Sequence, residues 1–124
     1  MSRIVLYHNP ACSKSRGAHE LLTERGVEFD VVEYLKAPLS REDLDRVLAL
    51  ISDAPENLVR KDKRFKELGL DPANYQTPAR VAELLVDHPE LMERPVVIKG
   101  DRGLIARPPD KLLELLDSGH SALS

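Results

Sequence analysis

The chain has a single cysteine, Cys12, in the run His8-Asn9-Pro10-Ala11-Cys12-Ser13-Lys14-Ser15-Arg16, just after the apolar stretch Arg3-Ile4-Val5-Leu6-Tyr7. That stretch predicts a short buried strand, and the residues from Ser13 onward set Ala18, Leu21 and Leu22 on one helical face. The thiol is therefore expected at a strand-to-helix turn. Free N–H groups and the positive end of the helix dipole at such a turn favour thiolate over thiol and can hold an anion. A sulfur in that place is a candidate nucleophile. The alternative is a buried structural cysteine, and the polar neighbours and Pro10 two residues earlier speak against it.

Three arginines extend the chemistry from a thiol to an oxyanion. Arg94-Pro95 comes just before one apolar run, Val96-Val97-Ile98-Lys99, and Arg107-Pro108 follows another, Leu104-Ile105-Ala106. A residue before proline is pushed toward extended backbone, so each arginine is expected at a defined element end. Arg60 lies in Val59-Arg60-Lys61-Asp62-Lys63-Arg64, where local pattern alone does not aim it. Guanidinium groups suit tetrahedral oxyanions because they stay charged and donate paired, planar hydrogen bonds. The competing reading of each arginine is a solvated surface charge. His8 ends the first strand and is either a cationic neighbour that lowers the thiol pKa or a histidine packed against the turn. Ser15 falls on the first helical turn, where its hydroxyl can reach the sulfur. His19, His88 and His120 are too scattered for a metal site, and a Cys/His zinc set is lacking.

The rest of the chain must position these groups. With 124 residues, 42% of them apolar and 31% charged, one domain with a modest core is expected. There is no Trp, so Leu and Val must fill the interior. The net charge of −3 gives no sign of nucleic-acid or membrane attraction. One cysteine excludes an internal disulfide. No apolar run approaches the ~20 residues needed to span a bilayer, and the opening residues lack the basic segment and long apolar stretch of a signal peptide. A cytoplasmic location is expected, and it would keep the thiol reduced.

The first helix is predicted over about Ser13–Arg25, with Gly26 as its stop. Val27–Tyr34 alternates with period two, so strand, helix and strand form a right-handed βαβ unit with parallel strands. Ser40, with Asp43 three residues on, caps a helix whose buried stripe is Leu44, Val47, Leu48 and Ile51, before Pro55 breaks it. Glu56–Arg60 and Asp62–Leu68 read as short helical turns, and Thr77-Pro78 starts another helix that buries Val81, Leu84 and Leu85. Val96–Lys99 and Leu104–Ala106 then flank a four-residue hairpin loop, Gly100–Gly103. A last helix is expected over about Pro109–Leu116, and the tail Gly119–Ser124 should fray. The order implies an α/β fold: a four-stranded mixed sheet with helices on its faces, thioredoxin-like. Pro38–Met92 forms a helical insertion between the second and third strands rather than a separate domain. In such a sheet the proline before the third strand faces the helix N-terminus, usually through a cis bond, which would set Arg94 beside Cys12.

Taken together, His8–Arg16, Val59-Arg60-Lys61, Arg94-Pro95-Val96-Val97 and Gly103-Leu104-Ile105-Ala106-Arg107-Pro108 resemble the ArsC-type arsenate reductases, the glutathione- and glutaredoxin-linked class with a thioredoxin-like fold and a helical insertion. The resemblance spans about residues 3–116. It implies that Cys12 attacks arsenate to form a thiol–arsenate adduct, that Arg60, Arg94 and Arg107 bind the anion, and that His8 and Ser15 help activate the thiol. Glutathione would be the co-substrate and glutaredoxin the partner that resolves the mixed disulfide. No bound cofactor, nucleic acid or membrane is implied. A lone cysteine agrees with a resolving thiol supplied from outside. Ser13-Lys14 stand where better-known members carry smaller or neutral residues, a departure that bears on substrate preference.

Two other functions share the architecture. A monothiol glutaredoxin-like oxidoreductase would use Cys12 on protein–glutathione mixed disulfides but has no need of three arginines. A non-enzymatic Spx-type regulator would bind RNA polymerase, but its redox switch requires a second cysteine where this chain has Ser15.

Overall fold

The computed structural model describes residues 3–116; His120 and the tail Gly119–Ser124 lie outside them. Strand β1 (Ile4–Tyr7) leads into helix α1 (Ser13–Glu24), and the chain reverses at Gly26, with φ of 68°, to enter β2 (Phe29–Val32). That left-handed conformation is nearly free for glycine alone, which is why the helix stops there. Next come α2 (Arg41–Leu50), a 3-10 turn at Pro55–Leu58, α3 (Lys63–Glu67), a 3-10 turn at Pro72–Asn74, α4 (Pro78–Asp87) and a turn at Pro89–Leu91. Strands β3 (Val96–Lys99) and β4 (Arg102–Ile105) follow, and a 3-10 turn at Pro109–Leu112 continues as helical residues at 113–116.

The sheet order is β2-β1-β3-β4. β1 runs parallel to β2 and antiparallel to β3, with Leu6 opposite Val97, and β4 is antiparallel to β3. This four-stranded mixed sheet with flanking helices is thioredoxin-like. One face of the sheet, through Ile4, Leu6, Val97 and Leu104, packs on Ala18 and Leu22 of α1 and on Leu112 and Leu115. The other face, through Val96, Ile98 and Ile105, shares a continuous core with Leu44, Val47, Leu58, Val81, Leu85 and Met92 of the segment between β2 and β3. Neighbouring strand residues point to opposite faces, so the consecutive apolar run of β3 is explained by burial on both sides.

Local signals account for most boundaries. Ser40 and Asp43 form a reciprocal capping box, Asp43 N donating to Ser40 Oγ at 3.1 Å and Ser40 N to Asp43 Oδ2 at 3.2 Å. A cap of this kind stabilises a helix by about 1 kcal/mol. Thr77 accepts from Arg80 N, with Pro78 in the first helical position.

The structure also corrects the pattern. The β3–β4 loop has two residues, Gly100-Asp101, with Gly100 at φ of 62°, as a tight hairpin turn requires. Gly103 is instead a strand residue. It is bridged to Ile51, and a β-carbon there would collide with the Ile98 side chain. The β2 strand is shorter than Val27–Tyr34 because it is an edge strand and pairs only along the four residues of β1. The predicted turn at Glu56–Arg60 forms earlier, at Pro55–Leu58, which frees Val59 and Arg60 for a different pairing.

Candidate active site

Cys12 is the N-cap of α1, in extended conformation and partly buried. The loop that presents it is folded by Asn9. Its side-chain Oδ1 accepts from Ala11 N at 3.0 Å and its carbonyl accepts from Cys12 N at 3.0 Å. An Asn side chain that mimics a backbone turn is a common reason for that residue in such a loop. Arg16 closes the loop from the helix side by donating to the Pro10 carbonyl at 2.9 Å.

Behind the loop, His8 and Ser15 are buried and bonded to each other, Nδ1 to Oγ, at 2.6 Å. Asn9 N also donates to Ser15 Oγ, at 2.9 Å. The hydroxyl is thus engaged by His8 and the loop, and it is the backbone N–H of Ser15 that favours the thiolate. Burial, followed by the neighbouring charges of His19 and Arg16, lowers the His8 pKa, with Glu33 opposing them. Its ring therefore holds a proton less readily than a free imidazole, and it lies 5.4 Å from the His19 ring, centroid to centroid, in a tilted arrangement. Of the two readings of His8, a cationic neighbour and a packed strand-end residue, the geometry matches the second.

The three arginines converge through long-range pairing. The bridge of Val59 to Met92 is closed by Arg60 N donating to Leu91 O and Glu93 N donating to Leu58 O, both at 2.7 Å. That short ladder carries Arg60 out of the insertion and sets it alongside Glu93 and Arg94. Arg107 Nη1 donates to the Arg94 carbonyl at 2.9 Å. The Arg94-Pro95 and Arg107-Pro108 bonds are both cis. Arg94 reaches Cys12, and its charge and a side-chain hydrogen bond both act on the sulfur. Lys61 and Arg64 point elsewhere: Lys61 donates to the carbonyls of Glu56 and Val59, and Arg64 pairs with Glu90.

A family model described as the ArsC family matches residues 7–115. The chain belongs to the ArsC family. It is 38% identical over 118 residues to an arsenate reductase of Neisseria meningitidis serogroup A, covering 94% of this chain and 100% of that protein. It is 39% identical over 116 residues to the uncharacterized protein YfgD of Escherichia coli K12, covering 92% and 97%. Among solved structures, the arsenate reductase from Vibrio cholerae superposes with a TM-score of 0.81 at 33% identity, covering 91% of this chain and 97% of that one.

Within this ArsC-family site, the sulfur's environment decides its reactivity. Partial burial is the largest influence and opposes ionisation. The backbone N–H of Ser15, the charge of Arg94, the backbone N–H of Lys14 and a hydrogen bond from Arg94 together outweigh it, so the thiol pKa lies below its ordinary value. A depressed acid pKa means that thiolate persists to lower pH than in the unfolded chain. Alkylation of Cys12 should accordingly show a pH midpoint below that of the urea-unfolded protein, which should titrate near about 8.5. Coincident midpoints would remove the activation.

Two participants carried no signal in the sequence. The Tyr34 hydroxyl donates to Met92 O at 3.5 Å, and burial pushes its pKa to about 12 despite the opposing charges of Arg94 and Arg60. Cys12 and Glu93 act on the same hydroxyl, so all four groups gather around one buried phenol that stays protonated. Glu93 links the cations, with Oε1 3.6 Å from Arg107 Nη1 and 3.9 Å from Arg60 Nε. Among the described residues, no group of three or more His, Cys, Asp or Glu could hold a metal ion, and no helix is long and apolar enough to cross a membrane.

Proposed function

We propose that this ArsC-family protein reduces arsenate to arsenite through a covalent adduct on Cys12. The observation that carries the reading is the meeting of an activated thiol and the Arg94 guanidinium at the N-terminus of α1, with Arg60 and Arg107 held alongside. The similarity to proteins named arsenate reductase supports the same substrate.

Arg60, Arg94 and Arg107 draw in the oxyanion and neutralise its charge, which otherwise repels an attacking thiolate. The Cys12 thiolate forms an S–As bond as an arsenate oxygen leaves as water. A glutathione thiolate then attacks the Cys12 sulfur. An S–S bond forms, the S–As electron pair passes to arsenic, and As(V) leaves as As(III) in arsenite. Glutaredoxin thiolate takes the glutathionyl group from the mixed disulfide and releases Cys12. Two thiols supply the two electrons, and the second must come from another molecule because the chain has one cysteine. His8 and Ser15 support the step by holding the loop and the Ser15 N–H in place behind the sulfur.

The test is arsenite formation from arsenate with glutathione, glutaredoxin and a glutathione-recycling system, with NADPH consumed in step. Absence of arsenite alongside rapid reduction of a glutathionylated peptide would overturn the proposal in favour of glutaredoxin-like exchange. Turnover with thioredoxin in place of glutathione and glutaredoxin would retain arsenate reduction and reassign the reductant.

A further inference from the structure

Glu93 takes no part in the steps above, yet its carboxylate lies inside the arginine cluster. Its Oε1 accepts from Arg94 N at 3.2 Å and stands 3.6 Å from Arg107 Nη1 and 3.9 Å from Arg60 Nε. The side chain is 22% exposed, which places it at the mouth of the site rather than in bulk solvent. The two guanidinium contacts are too long for hydrogen bonds, and a carboxylate has about four acceptor sites, so accepting capacity remains. Arg94 Nε, by contrast, is a buried donor with no hydrogen-bond partner among the described residues. Arg60 Nη1 is already paired with Asp62 at 3.2 Å, so an anion drawn in by these arginines meets an unfilled donor on Arg94 and, beside it, the negatively charged acceptor of Glu93.

An acceptor of that kind sorts oxyanions by protonation. Arsenate and phosphate keep an O–H at neutral pH and can donate it to a carboxylate. Sulfate is fully ionised and offers only acceptors, so it would face Glu93 with like charge and nothing to share. Like-charge juxtaposition in a partly desolvated site is strongly unfavourable, and a built-in repulsive element is an effective source of specificity. We propose that Glu93 is a specificity-determining residue that admits tetrahedral oxyanions carrying a proton and turns away sulfate. The assignment rests on the oxyanion reading of the arginine cluster, but not on turnover.

Protection of Cys12 from iodoacetamide by phosphate or sulfate, at pH 7 and constant ionic strength, reads binding without any reductant. In the unaltered protein, phosphate should protect at a concentration at least about tenfold lower than sulfate. Glu93→Gln should bring the two close to equality, chiefly by tightening sulfate, whereas Glu93→Asp should retain the preference. A carboxylate that served only to hold Arg60 and Arg107 would change both anions by the same factor when removed. An unchanged ratio in a folded Glu93→Gln protein overturns the assignment, and so does equal protection in the unaltered protein, which needs no variant. Failure of both anions to protect would overturn the oxyanion site as well. Clear selectivity without arsenate turnover would leave Glu93 in place and remove the reductase function.

Discussion

Cys12→Ser is expected to leave no arsenite formation above the uncatalysed background, a loss of at least about 10⁴-fold. A serine hydroxyl is not ionised near neutral pH by a few N–H groups and one guanidinium. Even if it esterified arsenate, its oxygen could not accept the glutathione thiol to form the disulfide that carries the two electrons. The fold should be untouched. Cys12 is partly exposed and caps α1, a position where serine is favoured. The bond from Arg16 N goes to the Cys12 carbonyl, which the substitution keeps. Arsenite production and thermal denaturation measured together therefore separate chemistry from folding. Appreciable turnover by a folded Cys12→Ser protein would end the nucleophile assignment.

Arg94→Ala should lower kcat/KM for arsenate by an amount worth about 2–4 kcal/mol, on the scale of removing one oriented donor from an oxyanion site. Arg94 acts on two partners, so two readouts should move. Its charge and hydrogen bond hold the Cys12 pKa down, and without them the alkylation midpoint should rise. Its unpartnered buried Nε and the rest of the guanidinium would no longer meet the oxyanion, so KM should increase as well. Arg107→Ala is the useful comparison. Arg107 is exposed and touches Arg94 through the backbone carbonyl, so its loss should raise KM with little change in the alkylation midpoint. A kcat/KM unchanged in Arg94→Ala would show that the arginine serves the fold alone.

What was legible in the sequence was what neighbouring residues settle among themselves. Cys12, a short loop past an apolar strand and directly before a helical stripe, is placed at a helix N-terminus by its neighbours alone. Ser40 with Asp43, Thr77 before Pro78 and Gly26 past α1 define helix ends through contacts spanning only a few residues. The strand and helix order then allowed few arrangements, because crossovers are right-handed and apolar faces must be covered. Tertiary structure decided everything that depends on residues far apart meeting. Arg60 reaches the site only because Val59 pairs with Met92. Tyr34 and Glu93 join it only because β2 ends where the insertion returns and β3 begins. Burial and the 2.6 Å bond to Ser15 Oγ show His8 packed behind the loop, where spacing alone had left two readings open. Periodicity and capping report which way a side chain faces along its own element. They carry no information about which distant charge stands opposite, and in this site Arg94 adds such a charge to the local N–H groups of Ser15 and Lys14 in favouring the thiolate.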